Sequence, residues 1–193
     1  MSRSSCRSFD NTPVPKDTIQ NILDKVGLCP NSYGPHTFHT FVVTNKNLIN
    51  DITNAAQQSW IRTSPLLFVF CSECGNRSYD SKAMKLYNIQ DAAIAQTFSM
   101  LAIEEEGLGS CWVGGFDQEK VQKILNIPTH LCPVGIQVCG YRRSKASHSK
   151  KVPQKSYSFL DSSVLGIHFI LFYSILFLCL RHFLEFFAKG HQC

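Results

Sequence analysis

A chain of 193 residues is long enough for one domain with a sizeable core, and 44% apolar with 17% charged residues excludes a disordered polymer. The formal charge of +5 is gathered locally, in Arg142, Arg143, Lys145, Lys150, Lys151 and Lys155. Without aromatic interleaving or a nucleic-acid motif, that stretch reads as phosphate-binding or membrane-proximal, not as a DNA-binding surface.

In chain order, Val14-Pro15 opens a helix whose Ile19, Ile22, Leu23 and Val26 fall at helical spacing, and Gly27 stops it. Cys29 to Pro35 is a loop, because two prolines and a glycine forbid a regular element. Thr37 to Thr44 alternates as a strand. Asn45 caps a helix carrying Leu48, Ile49, Ile52, Ala55 and Ala56. Leu66 to Cys71 is a continuous apolar run, the sign of a strand buried on both faces. Asn76 to Lys85 is polar and reads as a short loop.

From Ala92 to Ile103 almost every helical face is apolar, which predicts a helix buried on nearly all sides. Glu104 to Glu106 close it, Gly107 stands where a left-handed cap belongs, and Leu108 completes a Schellman ending. Ser110 to Val113 is a short strand leading into Gly114-Gly115, a bare backbone suited to close approach by something flat. Asp117 caps a helix with Val121, Ile124 and Leu125 that Pro128 ends. Val134 to Tyr141 is the last core strand. Helices and strands thus alternate around one sheet, an α/β or α+β sandwich.

Nine cysteines, with no apolar h-region in MSRSSCRS, predict reduced thiols packed as small hydrophobes rather than a disulfide framework. Cys71-Ser72-Glu73-Cys74 is a CxxC without the second pair that a zinc site needs.

The segments DAAIAQ (91–96), GLGSCWVGGF (107–116), Leu125-Asn126-Ile127-Pro128 and PVGIQVCGY (133–141) occur here in the order of a known pattern. With the opening Arg3-Ser4-Ser5-Cys6-Arg7-Ser8-Phe9, this pattern resembles the FMN-dependent nitroreductase family, in its short subgroup without long insertions. The resemblance covers residues 3 to 152. It implies an α+β three-layer sandwich, with a central, mostly antiparallel sheet flanked by helices. It also implies a homodimer with FMN at its interface and NAD(P)H as co-substrate. The implied activity is ping-pong hydride transfer to nitroaromatic, quinone or similar small acceptors, with orientation and electrostatics supplied by the protein and no catalytic nucleophile.

By the residues alone, an Arg/Ser-rich terminus reads as a loose basic segment. The resemblance reverses this and makes Arg3, Ser4, Ser5 and Arg7 flavin-binding, with Arg7 near N1 of the ring. Lys150 and Lys151 match the family's second basic pair at the phosphate, and Arg142 and Arg143 are weaker candidates. Val113, Gly114 and Gly115 are expected at the N5 edge; an ordinary tight turn is the bland alternative for the glycines. Pro30, Asn31, Ser32, Gly34 and His36 fall on the family's ring-lining loop. That loop departs from the pattern at Asn31, Gly34, His36 and Thr37-Phe38, as Ser4 departs in the opening motif.

After Gln154 the family pattern is lost. Val164 to Leu180 contains no formally charged residue, at the short edge of what spans ~30 Å of hydrocarbon. The expected organisation is a flavin-binding domain over 1–153, a linker over 154–163 and a hydrophobic tail over 164–187. With the basic cluster before the run, an inserted tail leaves the catalytic domain in the cytosol. An arm packed on a partner subunit, or an alternative C-terminus with no designed role, are the competing readings. Two other functions stay open: a reductive dehalogenase-like or flavin-destroying relative, and a degenerate membrane-attached interaction protein without FMN. The short Asn54 to Pro65 and Asn76 to Lys85 segments leave little room for the lid a dehalogenase needs.

Overall fold

The computed structural model describes residues 3–32, 37–74 and 82–143. All of them lie in the first of two units, Met1–Lys151 and Val152–Cys193. Gly34, His36, Lys150, Lys151 and the tail from 154 lie outside the described residues.

Four antiparallel strands form the sheet. They are β1 (Phe38–Val43), β2 (Leu66–Glu73), β3 (Gly109–Val113) and β4 (Leu131–Gly140), in the order β1-β2-β4-β3. Strand β2 is buried along its whole length, as its unbroken apolar run requires. Each fully buried Leu or Phe there contributes roughly 1.5–3 kcal/mol. Its alternate residues feed two cores. Leu67, Val69 and Cys71 join Ile49, Ile52, Ile136 and Val138 on the face covered by α2 (Lys46–Ala56) and α4 (Gln118–Ile124). Leu66, Phe68 and Phe70 join Ile22, Val26, Ala95 and Ile103 on the face covered by α1 (Lys16–Val26) and α3 (Lys82–Glu105). The expected α+β three-layer sandwich is the fold observed.

The predicted caps form. Asn45 Oδ1 accepts from the Asn47 and Leu48 N–H groups at 2.9 and 3.3 Å, and Asp117 accepts from Lys120 N at 3.1 Å. Gly107 lies at φ +73, with Leu108 N donating to Ile103 O at 3.0 Å and Gly107 N to Glu104 O at 3.1 Å. These are the two bonds of a Schellman ending.

Gly27 ends α1 as expected, at φ −62 and without a left-handed turn. Other boundaries differ from expectation. Helix α4 stops at Ile124 because Asn126 takes φ 50 and Ile127 N reaches back to Gln122 O at 2.9 Å, two residues before Pro128 matters. A 3-10 helix at Ser59–Thr63 was not expected from the sequence. Part of the expected polar loop is helical, since α3 begins at Lys82.

Two expectations need larger correction. Cys74 is bonded to Cys132, so the chain is not composed of reduced thiols alone. The register explains it: Ser72 faces Cys132 across β2 and β4, and Cys74 N donates to His130 O at 2.8 Å just beyond. Spacing along the chain cannot show a pairing made by strand register. Secondly, α3 is buried on one side only. Ala92, Ala95, Gln96, Ser99, Ala102 and Ile103 face the sheet, whereas Leu86, Ile89 and Leu101 are 54%, 46% and 44% exposed. Together with Ala93 and Thr97 these three form one helical stripe. No helix among the described residues is long and apolar enough to cross a membrane.

A Cβ on Gly107 meets nothing within 4 Å, so the cost of adding one is purely conformational. Gly107→Ala should lower unfolding free energy by about 1–2 kcal/mol, and Gly107→Asn by less. Urea unfolding of both variants measures it; an unchanged midpoint for Gly107→Ala would refute the left-handed cap.

Candidate functional site

The N-terminal segment is not loose. Cys6 N donates to Ser110 O at 2.8 Å, and Ser5 forms a parallel bridge with Ser110, so the segment extends the sheet along β3. Phe9 bridges Arg142, and Asp10 N donates to Tyr141 O at 2.8 Å beyond the end of β4. Fully buried Phe9 and nearly buried Cys6 anchor this path in the core. Arg3, Ser4 and Ser5 are half-buried, and Arg7 is exposed.

The segment carrying Arg3, Ser5 and Arg7 thus runs beside Ser110, next to Cys111 of β3. Burial pushes the Cys111 thiol up, while the Arg7 cation, the Ser5 hydroxyl and the Arg3 cation pull it back. The Arg7 guanidinium also sits 5.9 Å from the ring centroid of Trp60, which fixes its head by a cation–π contact. Trp60 belongs to the 3-10 helix that sequence reasoning missed, and no local signal marked it.

Strand β3 delivers the chain to Gly114 and Gly115, both exposed. Neither has a left-handed φ. A Cβ at Gly115 meets nothing within 4 Å, and at Gly114 the nearest atom is Trp112 Nε1 at 3.4 Å. Neither backbone conformation nor the described packing demands glycine here, and the two residues leave a bare main-chain surface. Gln58 Nε2 donates to Gly115 O at 3.2 Å and holds the turn from behind. The Val113 side chain is buried in the core, so only its main chain borders this surface.

Pro30, Asn31 and Ser32 are exposed and sit elsewhere, beside α3. Ser32 N lies 3.2 and 3.1 Å from the two Asp91 carboxylate oxygens, and Ser32 Oγ donates to Oδ2 at 2.6 Å. Asp91 heads the DAAIAQ segment, yet its partner could not be read from the sequence. No described contact joins this loop to Gly114-Gly115 within one chain.

Arg142 is committed elsewhere. Its Nη2 donates to Glu104 at 2.6 Å and to Leu108 O at 3.3 Å, which makes it a tie between the chain beyond β4 and the α3–β3 turn, while Nη1 has no hydrogen-bond partner among the described residues. Arg143 is exposed, with its N–H donating to Ser8 O at 3.2 Å.

Two guanidinium groups, a hydroxyl and an uncovered glycine surface have the chemistry to receive an anionic group attached to something flat. The chain belongs to the nitroreductase family, whose sequence model matches residues 1–72 and 54–141. Among characterised relatives, an FMN reductase [NAD(P)H] of Bacillus subtilis is 23% identical over 79% of this chain and 68% of its own length. An oxygen-insensitive NADPH nitroreductase of Helicobacter acinonychis is 25% identical, covering 79% of this chain and 90% of that protein. NfrA1 of B. megaterium superimposes with a TM-score of 0.75 at 22% identity, over 83% of this chain and 72% of its own. A nitroreductase family protein of Clostridium difficile 630 does so at 0.69 and 26% identity, over 82% and 95%.

The CxxC is not a redox pair, since Cys74 is bonded to Cys132 and Cys71 is a free, fully buried thiol. Burial pushes Cys71 up to about 12. At pH 8 its thiolate fraction is then about one part in ten thousand. Iodoacetamide at pH 8 should leave Cys71 unmodified in the folded protein, as read by peptide mass mapping, and modify it after denaturation. Rapid labelling of folded protein at Cys71 would contradict its burial.

Proposed function

We propose that this chain is an FMN-dependent NAD(P)H oxidoreductase that reduces nitroaromatic, quinone or similar small acceptors. The observation that carries the reading is the ordering of the segment with Arg3, Ser5 and Arg7 along β3, the strand that leads into the uncovered Gly114-Gly115 surface. When bound, FMN supplies the two-electron chemistry, taking a hydride from NAD(P)H and passing it on. Arg3, Ser5 and Arg7 hold its phosphate and the N1 side of its ring, with Lys150 and Lys151 as further phosphate donors. The main chain at Gly114 and Gly115 borders the N5 edge, and Pro30, Asn31 and Ser32 line the ring. No nucleophile is assigned, because the protein's part is binding, orientation and the exclusion of water.

The two groups of residues lie on different parts of one chain, which favours a homodimer that brings one group to the other across an interface. The exposed stripe of α3, with Leu86, Ile89 and Leu101, is the apolar face for that contact. The full chain should purify yellow, sediment as a dimer and bleach on addition of NADH or NADPH. Arg7→Ala should weaken FMN binding roughly 10- to 100-fold, and Arg7→Lys should recover part of it because the charge remains while the planar fork is lost. Protein that stays colourless with added FMN would sink the reading.

For residues 164–187 we propose a membrane anchor, with the catalytic domain on the cytosolic side. The support is Val164–Leu180, which carries no Asp, Glu, Lys or Arg and follows the basic cluster. The full chain should sediment with membranes and resist alkaline carbonate extraction. Recovery entirely in the soluble fraction would retire the anchor.

A further inference from the structure

We infer that Asp91 is a positioning residue of the flavin site, holding the ring-lining residues Pro30 to Ser32 in place through Ser32. The inference rests on the flavin reading above. Asp91 lies well inside α3, between the exposed residues before it and the apolar run after it, and is only 3% exposed. A carboxylate there is expensive to bury unless donors satisfy it. It is too far from either end of α3 to act as a cap, and aspartate is a poor residue for a helix interior. Its described donors come from Ser32: the N–H, 3.2 and 3.1 Å from the two oxygens, and the hydroxyl at 2.6 Å. Donor and acceptor are thus joined by charge-assisted bonds, the strong kind, across a separation of 59 residues.

The far end of the same connection is held from the same turn of α3. Thr37 O accepts from Glu73 N at 3.2 Å, and Glu73 O accepts from Asn88 Nδ2 at 2.9 Å. Asn88 and Asp91 are three residues apart and so adjacent on the helix. One turn of α3 therefore sets both ends of the segment, Asp91 directly and Asn88 through β2. The exposed Leu86 and Ile89 belong to the same stretch of helix, so the partner-facing stripe and the loop clip share one rigid element.

The test is FMN titration of the full-length protein, followed by flavin fluorescence, for wild type, Asp91→Asn, Ser32→Ala and the double variant. Asparagine keeps the shape but replaces one acceptor oxygen by a donor, so Asp91→Asn should weaken FMN roughly 10- to 100-fold. Ser32→Ala, which keeps the backbone donor, should weaken it roughly 3- to 10-fold. The double variant should bind no worse than Asp91→Asn, because both changes break the same contact. At saturating FMN, the visible circular dichroism of bound flavin should fall in Asp91→Asn. Asn45→Ala, which loses the cap of α2 and is remote from both the loop and β3, should keep wild-type affinity and dichroism; this separates positioning from general loss of stability. Should Asp91→Asn fail to fold, Ser32→Ala decides alone. Wild-type affinity and dichroism in Asp91→Asn and Ser32→Ala would overturn the inference while leaving the flavin reading intact. A wild-type protein that takes up no FMN would overturn that reading and this one with it.

Discussion

The Arg142–Glu104 pair closes the structure at the point where its layers meet. Both side chains are largely buried, and the 2.6 Å bond joins the second residue after β4 to the last turn of α3. The same guanidinium reaches Leu108 O, which lies between the Schellman turn and β3. Arg142 and Cys6 pack so closely over Gly109 that a Cβ there would meet Arg142 Cγ at 2.8 Å and Cys6 Cβ at 2.9 Å. Helix end, strand start and N-terminal segment are therefore fixed by one cation and one glycine. Every candidate residue on the β3 side of the site inherits its place from this junction. Breaking such a pair leaves an uncompensated buried charge, which is the costly half of buried ion-pair energetics.

That junction also shows what Arg142 does in the fold. Its Nη2 alone donates to Glu104 and to Leu108 O, and Nη1 is buried with no hydrogen-bond partner among the described residues. Arg7 is held differently, over the face of Trp60 at 5.9 Å from its ring centroid. The contrast between a cation consumed by structure and one steadied by stacking is a tertiary fact. Composition and spacing cannot express it.

What the sequence carried was local. Asn45, Asp117 and Gly107 each sit beside the backbone groups they satisfy, so their roles are written within a few residues. The unbroken apolar run of β2 likewise announces burial on both faces. The candidate flavin positions came from motif order, and the backbone pairing of the N-terminal segment with β3 shows that segment ordered rather than loose. What failed was long-range. The Cys74–Cys132 bond spans 58 residues and depends on strand register. Asn126 stops α4 in a left-handed conformation that only a minority of asparagines adopt. The helix α3 pattern was read as all-round burial because an apolar stripe left exposed has the same composition as one facing a core.

The degenerate, flavin-free alternative meets a physical difficulty in Gly114-Gly115. Each glycine in an ordinary backbone conformation costs roughly 0.5–1 kcal/mol against alanine through the entropy of the unfolded chain. At Gly107 that cost is returned by a positive φ, and at Gly109 by the close approach of Arg142 and Cys6. At Gly114 and Gly115 nothing among the described residues returns it, since neither has a left-handed φ and a Cβ would fit at both. A protein with nothing to admit at this surface would gain stability from alanine at either glycine. The flavin proposed above is a flat group, and a bare main chain is what its close approach would require.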